Sequence, residues 1–160
     1  MKKAIALIIA AALAAAALAG CSKAPAAGAG IDSLLASAAA GLNKNCPAAI
    51  DAETRMDNVT TPGNKTLQFN YTLVNYAMAD LPPDKIAVIK TVMQETLLNT
   101  IQSNIQGGGD MKPLAAAGAT FAYDYRSSDG QEVFTLTYTP DDYNTAASAA
   151  AGYDSPVPAS

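Results

Sequence analysis

The hydrophobic residues between Ile31 and Tyr138 alternate between two periods, and this constrains the fold more than any other feature of the chain. Leu34, Leu35, Ala38, Ala39 and Leu42 recur at helical spacing, with Asp32 or Ser33 as the expected N-cap and an end before Pro47. From Ile50 the period becomes two: Ile50, Ala52, Thr54 and Met56 alternate with Asp51, Glu53, Arg55 and Asp57. Thr61-Pro62-Gly63-Asn64 reads as a turn, and Leu67, Phe69, Tyr71 and Leu73 supply the answering strand of a hairpin. Asp80-Leu81-Pro82-Pro83-Asp84 then opens a helix of about five turns along Ile86, Ile89, Met93, Leu97, Ile101 and Ile105. Gly107-Gly108-Gly109 ends it. Ala119, Phe121, Tyr123 and Tyr125 form one strand face, Ser127-Ser128-Asp129-Gly130 turns the chain, and Phe134, Leu136 and Tyr138 face back. The order helix, hairpin, helix, hairpin predicts an α+β fold: a four-stranded antiparallel sheet with two helices on one face.

A different signal precedes this domain. Lys2 and Lys3 are followed by the apolar run Ala4 to Ala19, then by Gly20 and Cys21. A basic start, an apolar middle and small residues at the end make a secretory signal. A membrane-spanning helix needs about 20 apolar residues, more than this run provides, and no charged stop follows. Leu18-Ala19-Gly20-Cys21 resembles the bacterial lipobox. In that family the Cys21 thiol accepts a diacylglyceryl group, the chain is cut before Cys21, and the freed amine is acylated. Burial of acyl chains contributes about 0.8 kcal/mol per CH₂, so two or three chains anchor firmly. Ser22 after the cysteine implies delivery to the outer membrane, facing the periplasm.

The organisation expected is a signal peptide over 1–20, a flexible tether over 21–30, one α+β domain over 31–143, and a low-complexity tail over 144–160. The tether SKAPAAGAG and the Ala, Ser, Gly and Pro of the tail carry too little apolar bulk to order themselves. Once Lys2 and Lys3 are removed, eight basic residues face 14 acidic ones. That balance argues against nucleic acid and against charge-driven binding to anionic lipid, leaving the acyl anchor as the contact with the membrane.

The chain contains no histidine, which removes the common nucleophile–base pairs and histidine zinc sites. With Cys21 acylated, Cys46 is a lone thiol. Burial under the corner at Pro47, an intermolecular disulfide and a reactive thiol are its three possible roles, the first being favoured because free cysteine behaves as a small hydrophobe. Asp124, Asp129 and Glu132 around the second hairpin lack the spacing of a calcium loop. Asp51, Glu53 and Asp57 read as solvated charges guarding an outer strand. No catalytic residue, metal or other cofactor is expected.

The stretch Leu42-Asn43-Lys44-Asn45-Cys46-Pro47-Ala48-Ala49-Ile50-Asp51, together with Thr54-Arg55, Phe69-Asn70-Tyr71 and Gly118 to Tyr123, resembles a group of small bacterial envelope proteins. The element order is similar to that of the Vibrio-type pilotin lipoproteins of type II secretion. That resemblance implies a protein that binds and escorts an outer-membrane secretin. Those pilotins carry a disulfide within the domain, whereas Cys46 has no partner cysteine in the mature domain.

The functional expectation is therefore a non-enzymatic, lipid-anchored binding or assembly factor for another envelope protein. An alternative is a periplasmic inhibitor of a cell-wall lytic enzyme, and a third is a carboxylate-only hydrolase built on Asp51 or Asp57. Cys46, Asn75 and Tyr76 are the candidate interface residues, the last two because an aromatic lies beside the proline loop.

Overall fold

The structure, a computed structural model, describes residues 30–144. Helix α1 (Ile31–Asn43) turns Leu35 and Ala39 into the core. Its N-cap is Gly30 rather than Asp32 or Ser33; the Gly30 carbonyl accepts from the amides of Ser33 and Leu34, and no side chain caps the end. Asp32 lies instead inside the first turn, where its charge favours the positive end of the helix dipole.

Past Pro47, strand β1 is only Ala48–Ala49, too short to leave a periodic signal, and pairs with Met56 and Arg55 of β2 (Thr54–Gly63). Residues 50–53, expected to open the first strand, form a bend instead. An Asp51 Oδ1 atom accepts the amides of Glu53 and Thr54, each at 2.7 Å. This local hydrogen bonding competes with a strand ladder and wins here. The hairpin also tips later than Thr61–Asn64 implies. Pro62 and Gly63 stay in β2, and Asn64 and Lys65 make the turn with φ of 51° and 58°. Two successive left-handed residues match the twist of the flanking strands.

β3 (Thr66–Leu73) leads through a 3-10 turn (Met78–Asp80) to α2 (Pro83–Gln106), which is longer than the five turns expected. Pro83 and Asp84 occupy its first turn, as proline and acid favour. The glycine run that follows has distinct tasks. Gly108 takes φ 77°, and a Cβ at Gly109 would lie 2.5 Å from the Asn104 side chain. That side chain accepts the Met111 amide at 2.9 Å and so starts α3 (Met111–Ala116), a helix whose six residues gave no periodic signal. β4 (Thr120–Ser127) and β5 (Glu132–Tyr138) complete the sheet, followed by helical residues 140–144.

Among the described residues the sheet has five strands in the order β1-β2-β3-β4-β5, and β3 runs parallel to β4. This corrects the four-stranded antiparallel sheet. Helices α2 and α3 carry the chain back along the sheet, so β4 begins where β3 begins: the Thr120 amide donates to the Lys65 carbonyl at 2.9 Å. A helical crossover makes its strands parallel, and hydrophobic period reports the face of a strand but not its neighbours.

Both long helices lie on one face, as expected. Leu67, Phe69 and Tyr71 of β3, Phe121, Tyr123 and Tyr125 of β4, and Phe134, Leu136 and Tyr138 of β5 share a single core with Leu35 of α1 and Leu97 and Ile101 of α2. α1 covers β2 and β3, α2 packs on β5, and α3 touches both helices. Phe69 stacks on Tyr123 at 5.0 Å and Tyr71 on Tyr125 at 4.9 Å, offset pairs that add about 0.5–1.5 kcal/mol each beyond their buried area.

Candidate partner-binding surface

At the end of the sheet where the chain leaves β3, three loops are tied together. Asn75 donates its side-chain amide to the Ala52 carbonyl at 3.0 Å, and the Tyr76 hydroxyl donates to Glu53 Oε1 at 2.8 Å. The Tyr76 carbonyl accepts the Ser128 amide at 2.8 Å. Asp129 accepts the Met78 amide at 3.2 Å and the Ser127 hydroxyl, and these bonds hold its carboxyl below the usual range. The hydrogen bond to Glu53 pushes the Tyr76 phenol up. Asn75 and Tyr76 thus belong to one hydrogen-bonded end, with the Ala52–Glu53 bend and the Ser127–Gln131 turn.

Cys46 sits elsewhere, on the corner between α1 and β1, half-buried, with Sγ donating weakly to the Leu42 carbonyl at 3.6 Å. Burial, with Asp57 adding to it, pushes its thiol up, so it stays protonated and weakly nucleophilic near neutral pH. It shares no hydrogen bond with Asn75 or Tyr76, and the three expected interface residues do not form one cluster. Cys21 and the lipobox residues Leu18, Ala19 and Gly20 lie outside the described residues, as do the signal and tether up to residue 29 and the tail beyond residue 144.

The carboxylates singled out in the sequence have structural partners. Asp57 pairs with Arg55 and accepts the Thr72 hydroxyl, and Asp51 shapes the bend. Asp124, 4% exposed on the sheet face away from the helices, is held by Arg126 Nε at 2.9 Å and Thr135 Oγ1 at 3.3 Å. On the same face Asn70 donates to Asn58 Oδ1 at 2.7 Å and accepts from Gln68 at 2.7 Å. This side of the sheet is a mutually satisfied polar layer. Among the described residues no group of three His, Cys, Asp or Glu side chains is placed to hold a metal ion. Nor is any described helix long and apolar enough to cross a membrane.

The helix side differs. Tyr123 is 1% exposed, yet its hydroxyl has no hydrogen-bond partner among the described residues. Burial drives the phenols of Tyr71, Tyr123 and Tyr125 upward, so all three stay neutral. Around this stack, Leu42 and Met56 on the α1 side and Ile86, Ile89 and Met93 on α2 remain only half-buried. Helical spacing marked the α2 residues as core-facing. It gave no sign that their cover is incomplete, because period reports direction and not depth.

With this geometry in view, the chain can be placed. It belongs to the family Domain of unknown function (DUF8479), whose model matches residues 30–135. Two solved structures share the fold of this DUF8479 chain. A Pseudomonas aeruginosa protein described as secreted is 19% identical, with TM-score 0.58, over 71% of this chain and 92% of its own. The type II secretion system pilotin AspS from Vibrio cholerae is 16% identical, with TM-score 0.50, over 70% of this chain and 91% of its own. At these identities the likeness is one of fold. No curated protein matches the chain.

Proposed function

We propose that this chain is a lipoprotein held by Cys21 on the periplasmic side of the outer membrane, where its domain binds and escorts another envelope protein without catalysing a reaction. The observation that carries this reading is a lipobox-like Leu18-Ala19-Gly20-Cys21 joined to a domain with the fold of a secretion pilotin. The incompletely covered apolar fringe of α2 and α1 around the tyrosine stack supports it, since a partner segment laid there would finish burying Ile86, Ile89 and Met93. Asn75 and Tyr76 lie on the tied loops next to the start of α2 and are proposed as its polar rim. The hydrogen-bonded roles of Asp51, Asp57, Asp124 and Asp129 favour binding over hydrolysis.

Mild cross-linking in cells, followed by purification of the acylated protein from the outer membrane, tests this. One stoichiometric envelope protein is the expected result. Recovery of the protein alone, or from the soluble periplasm, would overturn the reading.

A further inference from the structure

The two edges of the sheet are built differently. On one side β2 is covered by a two-residue β1, and beyond it the Asn43 side-chain amide bonds both the amide and the carbonyl of Val59, at 2.7 and 2.8 Å. Pro62 follows further along the same strand. These are recognised guards against edge-to-edge pairing.

On the other side β5 is the outermost strand among the described residues. The Thr120 amide bonds the Lys65 carbonyl in β3's direction, so even-numbered residues of β4 serve β3 and odd-numbered ones serve β5. Phe121 and Tyr123 pair with Tyr138 and Leu136. It follows that the backbone amides and carbonyls of Thr135 and Thr137 point off the sheet. Among the described residues no strand pairs with β5 on that side, and both threonines are exposed. Residues 132–138 contain no lysine and no proline, and Glu132 is the only charge.

We propose that this edge pairs with β5 of a second copy, antiparallel and centred on Thr135, to give one continuous sheet across a two-fold axis. Centring on Thr135 sets Thr135 opposite itself, Val133 opposite Thr137, Phe134 opposite Leu136 and Glu132 opposite Tyr138. All seven residues find a partner, the pairs other than Glu132 with Tyr138 are β-branched or apolar, and no like charges meet, which is the favourable pattern for cross-strand neighbours. A β5 register shifted toward its own N-terminus would bring the two Glu132 side chains together. The helix laid on β5 adds a second observation: α2 leaves Val88 and Val92 exposed, at 64% and 40%, on a helix that borders this edge. A closed two-fold pairing also uses the edge up, whereas an open one would propagate.

Single cysteines at Thr135→Cys or Thr137→Cys, placed in the full chain carrying Cys46→Ser and oxidised mildly in intact cells, test the register. On the axis, opposed residues have Cα atoms about 5.5 Å apart, within disulfide reach. The two residues at 137 would be about 14 Å apart, out of reach. Cross-linked dimer at 135, on the order of tenfold above that at 137, is expected. Equal yields at both sites, dimer at neither, or a cross-link from 135 to a different envelope protein would each overturn the proposal. In the unsubstituted chain, hydrogen exchange should slow at the Thr135 and Thr137 amides as concentration rises. Exchange independent of concentration would count equally against it.

Discussion

Asn43 shows how much a single side chain contributes here. It ends α1, yet its amide group fills the place of a missing strand against Val59, which is 2% exposed. Asn43→Ala leaves a buried backbone donor and acceptor unpaired, a loss of about 1–3 kcal/mol. The denaturant midpoint should fall accordingly, with the slope unchanged; an unaltered midpoint would mean that water replaces the amide without cost. Nothing in the sequence distinguishes Asn43 from the neighbouring Asn45, because the pairing spans 16 residues and needs β2 in place. Cys46 was the opposite case. The sequence marks it as unusual, and the structure gives it a protonated, half-buried role at a corner.

At the scale of elements, the strand faces, the two long helices and the turn at Ser127–Gly130 were legible, since each is written in local period and turn chemistry. Residues 50–53 misled because alternation in composition is also compatible with a bend once Asp51 bonds its own backbone. The order of strands was not legible for a different reason. Two hairpins joined by a helix satisfy the same periodicities whether their inner strands run parallel or antiparallel, and only the length and direction of the crossover decide. The join that completes the crossover is Gly118, which enters β4 at φ 79° with open space where a Cβ would stand. Gly118→Ala is therefore a test of backbone strain without a steric clash. It should destabilise the domain by about 1–2 kcal/mol in equilibrium unfolding. No change would mean that the junction relaxes to an ordinary conformation.

For the whole molecule, the core is a layer of stacked tyrosines between the sheet, whose far face is polar, and two helices whose cover of its fringe is incomplete. This gives it a defined response to alkali. An ordinary phenol titrates near pH 10, while burial raises the phenols of Tyr71, Tyr123 and Tyr125, and that of Tyr138 to about 12. A raised acid pKa in the folded state means that folding binds protons relative to the unfolded chain once pH passes 10. The stability contribution is complete below pH 10 and declines as pH rises through the folded values. Phenolate absorbance and far-ultraviolet circular dichroism should therefore change together above pH 10. Ionisation of every tyrosine near pH 10, with the secondary structure intact, would contradict this packing.

The same scale holds the functional claim, which joins an anchor outside the described residues to a domain with a partly open apolar side. The most direct test is fractionation of cross-linked envelopes from cells producing the native chain or Cys21→Ser. The native chain should sediment with the outer membrane and carry one stoichiometric envelope partner, while Cys21→Ser, which can be neither acylated nor cleaved before residue 21, should be lost from the outer membrane and stay with the inner membrane through its apolar run. A native chain found in the soluble fraction, or no partner on either form, would contradict the account.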